Sequence, residues 1–172
     1  KATFDFMICA DGVGSESRRK LLPAVQNNYS GYVAWRGMVS EGELDKKLRK
    51  TLSEAITYYV FANSHILVYP IPSLNGSVEK GKRLINFVWY RNYAEGSELD
   101  DLLTGNDDKY RPLSVPPGLL QEHHVLEAKS VAKARMPRDI ADLVEATQKP
   151  FIQVIYDVAV DKMVFKRICL LG

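Results

Sequence analysis

Ala55-Ile56-Thr57-Tyr58-Tyr59-Val60-Phe61-Ala62-Asn63-Ser64-His65-Ile66-Leu67-Val68-Tyr69-Pro70-Ile71 holds two runs rich in β-branched and aromatic residues, parted by Ala62-Asn63-Ser64. Such runs read as strands and the three-residue break as a hairpin loop, setting residues 55–61 against residues 65–71. Hairpin pairing is antiparallel. Residues 31–39, with Tyr32, Val33, Trp35 and Val39, and residues 84–91, with Ile85, Phe87, Val88 and Trp89, have the same character. The sequence therefore predicts a mixed, largely antiparallel sheet of at least four strands. Helices are expected over residues 119–134 and 138–148. In the second, Ile140, Leu143 and Val144 make an i, i+3, i+4 stripe between Pro137 and Pro150. A stripe buries against one surface, so these helices are expected on one face of the sheet, an α+β architecture. Shorter helical stretches fall at residues 43–52 and 97–103, and a further strand at residues 151–156.

The chain of 172 residues is 46% hydrophobic and 26% charged, which excludes disordered, collagen-like and disulfide-scaffold classes. With 23 Lys+Arg against 21 Asp+Glu, a net charge of +2 leaves no electrostatic footprint for nucleic acid or an anionic membrane, and neither is expected as a partner. No run approaches the ~18 apolar residues of a membrane span. Cys9 and Cys169 sit in apolar runs and read as buried free thiols. With no basic-then-apolar leader opening the chain, they point to a reducing, cytoplasmic compartment. Two of the three histidines are the neighbours His123 and His124 in a polar helical stretch, without metal-ligand spacing, so no metal is expected. Tyr58, Tyr59 and Phe61 suit either a core strand or a homodimer surface.

The two ends are strand-like runs, Thr3-Phe4-Asp5-Phe6-Met7-Ile8-Cys9-Ala10 and Arg167-Ile168-Cys169-Leu170-Leu171-Gly172. Apolar strands of this kind belong to parallel sheets joined by crossover helices, and none accompanies them. A piece of a longer protein is expected, with residues 1–28 and 158–172 in one domain and residues 29–157 in another. Between strand and helix lies Asp11-Gly12-Val13-Gly14-Ser15-Glu16-Ser17-Arg18. Ser17 stands where a dinucleotide turn has its third glycine, and Pro23 stops the helix early, so this is not a Rossmann crossover. Asp11 is either a cap or a carboxylate offered, with backbone N–H groups, to a ribose or pyrophosphate.

On residues 65–69 alternation sets His65, Leu67 and Tyr69 on one surface, two polar rings flanking an apolar residue. The pair is either a loop-mouth histidine with a core tyrosine or a polar pocket wall. Arg36, on a strand otherwise rich in apolar and aromatic residues, requires an internal carboxylate or a cleft to face. Trp89 and Tyr90 alternate on the neighbouring strand; sheet packing explains most of them, with one of the two lining the pocket.

The order of these segments resembles the single-component flavoprotein aromatic hydroxylases. Residues 5–12 with Ser15 and Arg18 look like their second flavin fingerprint, GADGxxSxxR, although Cys9 replaces its first glycine. Residues 29–37, 65–72 and 87–92 extend the likeness, and residues 167–172 look like the run into the third fingerprint, GDAA. Within the family the 2,6-dihydroxypyridine 3-monooxygenase type is the most similar. The resemblance implies a substrate-binding domain like that of p-hydroxybenzoate hydroxylase, flanked by terminal strands of an FAD-binding Rossmann-like domain. It also implies FAD as cofactor, NADH or NADPH as electron donor, and hydroxylation of a hydroxylated pyridine or other small aromatic ring through a flavin hydroperoxide. By the same resemblance His65 and Tyr69 are catalytic, Asp11, Gly12, Arg18 and Arg36 bind the cofactor, and His65, Leu67, Tyr69 and Trp89 bind substrate. A non-catalytic α+β binding module, or a halogenase or epoxidase of the same fold, is the competing expectation.

Overall fold

A computed structural model describes residues 4–171. Thr3, in the first expected strand run, and Gly172, at the end of the last, lie outside the described residues. The chain divides into two compact units: one formed by residues up to Ser30 and from Tyr156 onward, the other by Gly31–Ile155.

In the second unit, β2 (Asn28–Ser40), β3 (Thr57–Phe61), β4 (Ser64–Ile71), β5 (Leu84–Asn92), β6 (Ser114–Val115) and β7 (Phe151–Asp157) form a sheet of order β3-β4-β5-β2-β7-β6. The pairs β3/β4, β4/β5, β2/β5 and β6/β7 are antiparallel. All four strands expected to build the sheet are adjacent in it. The hairpin turns on Ala62 and Asn63 alone; Asn63 adopts φ +57°, which an asparagine tolerates, and frees Ser64 to begin β4.

The register sorts side chains onto two faces. Trp35 lies opposite Trp89, Gly37 opposite Phe87, and Ile66 and Val68 opposite Trp89 and Phe87. These residues are buried and form the core face. Against them pack α4 (Glu122–Arg135) and α5 (Arg138–Ala146). Arg91 makes a two-pronged ion pair to Glu127 at 2.8 and 2.7 Å, the Tyr59 hydroxyl donates to the Arg135 carbonyl, and Gly37 lies beneath Thr147. Each of these helix contacts belongs to the same face of the sheet. In α5 the stripe Ile140, Leu143 and Val144 is buried, as its spacing predicts. The first of the two helices starts later than expected: Gly118 (φ +81°) turns the chain, and Asn106 N–H holds the Leu119 carbonyl, so Leu119 and Leu120 stay outside it. The charged stretch 43–52 resolves into a 3-10 turn, Glu41–Glu43, and α2 (Lys46–Leu52), capped where Asp45 accepts from Leu48 N–H. The helix α3 (Ser97–Leu103) has its expected bounds.

In the other unit, β1 (Met7–Cys9) runs parallel to β9 (Ile168–Leu170), and β9 pairs antiparallel with the short β8 (Val164–Phe165). Only three residues of each end run enter a parallel ladder. Phe4, Phe6, Met7 and Ile8 are exposed while Cys9 is buried. Both cysteines are free, with Cys169 half-buried. The segment α1 (Glu16–Leu21) is short, as Pro23 requires.

Candidate active site

The sheet face opposite the helices carries the unusual chemistry. Pairing sets His65 against Tyr90, Leu67 against Val88 and Tyr69 against Asn86, while Arg36 faces Val88 from β2. The centre of this face is an apolar floor of Leu67 and Val88, next to Ala34. His65 and Tyr90 border it at one end, Tyr69 and Asn86 at the other, and Arg36 at the side. His65 and Tyr69 are four residues apart on one strand, about 13 Å between Cα atoms. That gap accommodates a small ring with polar substituents on opposite edges, met by the reach of the two side chains.

Aromatic rings continue across the face. The His65 imidazole stacks on Tyr58 at 5.4 Å and meets Tyr90 at 4.6 Å, and Tyr90 meets Tyr32 edge-on at 5.7 Å. The imidazole is therefore oriented by rings, leaving its nitrogens for other groups. Arg36 makes no ion pair or hydrogen bond with the described residues, and its Nε is buried without a partner. The internal carboxylate that would account for it is absent among them. Asn86 is 5% exposed, and its amide likewise makes no hydrogen bond. Native folds rarely leave a buried polar atom unpaired, and the Arg36 Nε shares this face with the unbonded Asn86 amide, so the surface offers polar groups for a ligand to meet.

Trp89 does not share this surface. It pairs with Ile66, so alternation turns it to the helix side, where it is 1% exposed, donates from Nε1 to Ser64 Oγ at 2.8 Å and lies under the Arg91 guanidinium. Its edge lines an open groove of about 400 Å³ with Ser64, Arg91 and Glu127. Tyr90 is the residue of the pair that reaches the open face. Asn86, Val88 and Tyr58 escape notice in the sequence because their membership depends on the register between strands. Asn86 alone leaves a signal, as a polar residue between Ile85 and Phe87.

The Asp11 segment is built as a turn. The Ser15 hydroxyl donates to Asp11 Oδ1 at 2.6 Å and Ser17 N–H to Oδ2 at 3.0 Å, while Ser15 Oγ caps Arg18 N–H. The Ser15 hydroxyl first, then the Ser17 amide, hold the Asp11 carboxyl down at about 2, so it is an anion across the neutral range. Gly12 has φ +70° and open space where a Cβ would lie. Arg18 does not pair with Asp11: its guanidinium donates to the Val13 carbonyl at 2.7 Å and Asn27 Oδ1 at 2.6 Å, because its helix directs it back under the loop.

A family model described as FAD binding domain-like matches residues 29–157. The chain is 34% identical over its whole length to 2,6-dihydroxypyridine 3-monooxygenase of Paenarthrobacter nicotinovorans, of which it covers 42%. The solved 2,6-dihydroxypyridine-3-hydroxylase of Arthrobacter nicotinovorans superposes with a TM-score of 0.84 at 34% identity, covering 97% of this chain and 41% of that one. CtdE in complex with FAD superposes over 98% of this chain and 41% of its own with a TM-score of 0.61, but at 16% identity, a likeness of fold. The chain thus spans less than half the length of these relatives.

Proposed function

The chain belongs to the FAD binding domain-like family, and on that premise we propose that it supplies the substrate-binding sheet of an FAD-dependent monooxygenase that hydroxylates a small hydroxylated pyridine or related aromatic ring, with NADH or NADPH as electron donor. The observation that carries this reading is the open sheet face, where unpaired polar groups surround the apolar floor of Leu67 and Val88. The identity with the pyridine-hydroxylating relative supports the ring class. Residues 1–28 and 158–172 belong to the cofactor domain and residues 29–157 to the substrate domain.

The residues present fit FAD. The Nε of Arg36 has no acceptor among the described residues, and Gly12 leaves its backbone open beside the exposed Asp11. Asp11, Gly12 and Arg36 are assigned to the cofactor, and Arg18 to holding the turn that presents the first two. FAD, once bound and reduced, supplies oxygen activation that no side chain can perform. The protein's share is to place and polarise the ring. Leu67 and Val88 exclude water beneath it, His65 accepts a proton from a ring hydroxyl, and Tyr69 with Asn86 hydrogen-bonds the opposite edge. Removing that proton raises the electron density of the ring, and general-base help of this kind contributes about 10²–10⁴-fold. No helix of the described residues is long and apolar enough to cross a membrane. The two free thiols agree with the cytoplasmic, reducing compartment we assign to it.

The test is made on the complete protein, purified with its flavin. A dihydroxypyridine should stimulate oxygen uptake and NAD(P)H oxidation and emerge with one more hydroxyl group. A flavin-loaded protein that hydroxylates no hydroxylated ring, or that yields a halogenated or epoxidised product, overturns the reading.

A further inference from the structure

We infer that Asp101, His123 and His124 form a binding site for a divalent transition-metal ion, of which zinc is the best fit. The sequence alone leads to no metal being expected, because two ligands are neighbours on one helix and the third comes from another. Asp101 lies in α3, and both histidines stand in the first turn of α4. Gln121 pins the two elements together, its Nε2 donating to the Asp101 carbonyl at 3.2 Å and the Thr104 carbonyl at 2.9 Å. The three side chains therefore meet on a fixed backbone.

Their donor atoms are already spaced for one ion. Asp101 Oδ2 lies 3.0 Å from His124 Nε2 and 3.4 Å from His123 Nε2, and one ligand atom from each of the three side chains falls within 4.8 Å of the others. Bonds of about 2.0–2.2 Å to a tetrahedral zinc put its ligand atoms about 3.3–3.5 Å apart. Little closing motion is needed. His123 Nε2 hydrogen-bonds Asp101 Oδ2, whereas the buried His124 Nε2, in ion-pair range of the same carboxylate, has no hydrogen-bond partner. A buried imidazole nitrogen set 3.0 Å from a carboxylate oxygen that also faces a second imidazole is a donor set that one cation can satisfy. Two imidazoles and one carboxylate select zinc, copper(II) or nickel(II) over calcium or magnesium, which prefer all-oxygen shells. Asp101 and His123, with side chains 56% and 60% exposed, leave an entry path and room for a water ligand. Bound metal would tie α3 to α4, a role separate from ring hydroxylation.

The experiment titrates the full protein, stripped of metal, with Zn²⁺ by calorimetry and with Co²⁺ by absorption spectroscopy. Saturable uptake of one ion is expected, with cobalt d–d bands and no thiolate charge-transfer band. The exposed ligands give variants least prone to unfold: Asp101→Ala and His123→Ala should each weaken binding roughly tenfold or more, and His65→Ala should leave it unchanged. Zn²⁺ should also raise the unfolding midpoint of the native protein but not of Asp101→Ala. Absence of saturable uptake, binding unaltered in both ligand variants, or a thiolate band assigning the metal to Cys9 or Cys169 overturns the site.

Discussion

His65 is held between the rings of Tyr58 and Tyr90 and bonded to neither, so its imidazole is positioned without being consumed. If it takes the hydroxyl proton, His65→Ala in the complete enzyme should lower kcat about 10²-fold, and Tyr69→Phe should do so if its hydroxyl relays charge at the other edge. Flavin content should not change; wild-type turnover in both variants across pH would make the pair structural. Asn86 invites a different substitution. Its amide has no hydrogen-bond partner in the fold, so Asn86→Leu gives up no internal bond and should leave stability about equal. The KM for the ring substrate should rise about tenfold, the loss of one hydrogen bond worth about 1.4 kcal/mol. A lower unfolding midpoint with unchanged KM would show the amide to be a packing residue. The sharing of one surface by His65, Leu67 and Tyr69 is legible in the sequence, because alternation within one strand is local. That Tyr90 and Asn86 join them while Trp89 turns away is not legible, because it depends on which residue of β5 lies opposite which residue of β4.

Elements in this fold are joined by polar contacts as well as by the core. Glu41, in the turn after β2, is almost fully buried; it accepts from Gly81 N–H at 2.8 Å and from Arg83 Nε and Nη2 at 2.9 and 2.8 Å. Arg83 also donates to the Ser53 carbonyl at 2.9 Å, linking the loop before β5 to the end of α2. The Arg83 hydrogen bonds hold the Glu41 carboxyl down from 4.5 to about 2. A carboxyl depressed in the folded state adds stability above its unfolded value, and that contribution vanishes as pH falls through 4.5 towards 2, about 3 kcal/mol in all. Chemical denaturation at pH 7 and pH 2.5 should show a smaller acid loss in Glu41→Gln than in the native protein. Equal acid loss would leave Glu41 without a role in it. The core side of the same strands sets a steric limit at Gly37. A Cβ there would lie 2.5 Å from Phe87 Cε1 and 2.6 Å from Thr147 Cγ2, so Gly37→Ala forces the sheet and the end of α5 apart. The cost expected is about 1–3 kcal/mol by urea unfolding, and a neutral result would mean that Phe87 can turn aside without loss. Neither contact is visible in the sequence: Gly37 falls inside the strand read over residues 31–39, and Glu41 falls between that strand and the charged stretch 43–52.

At the scale of the molecule the two units are built unequally. The hairpin and stripe patterns that make the second unit legible are also what stabilise it, since β4 and β5 lie inside a six-stranded sheet and bury Ile66, Val68, Phe87 and Trp89 under two helices. The other unit has a parallel pairing three residues long, with Ile8 at 62% exposure and Phe6 and Met7 half in water. Its strand composition is legible, but its burial is not, because burial depends on what covers the strand and not on the strand itself. Local opening free energy follows buried apolar contact, so the units should differ in amide exchange. In the 172-residue chain, the amides of Ile66, Val68, Phe87 and Trp89 should exchange only through global unfolding. Those of Ile8, Cys9 and Cys169 should exchange at least about 10²-fold faster, a difference of about 2.7 kcal/mol in opening free energy. Exchange measured by NMR or mass spectrometry decides this, and equal protection in the two groups would show that the short ladder opens only together with the large sheet. If FAD binds at the Asp11 turn as proposed, adding it to the complete protein should narrow the gap, because a ligand that binds the folded turn raises the opening cost of the strand that precedes it.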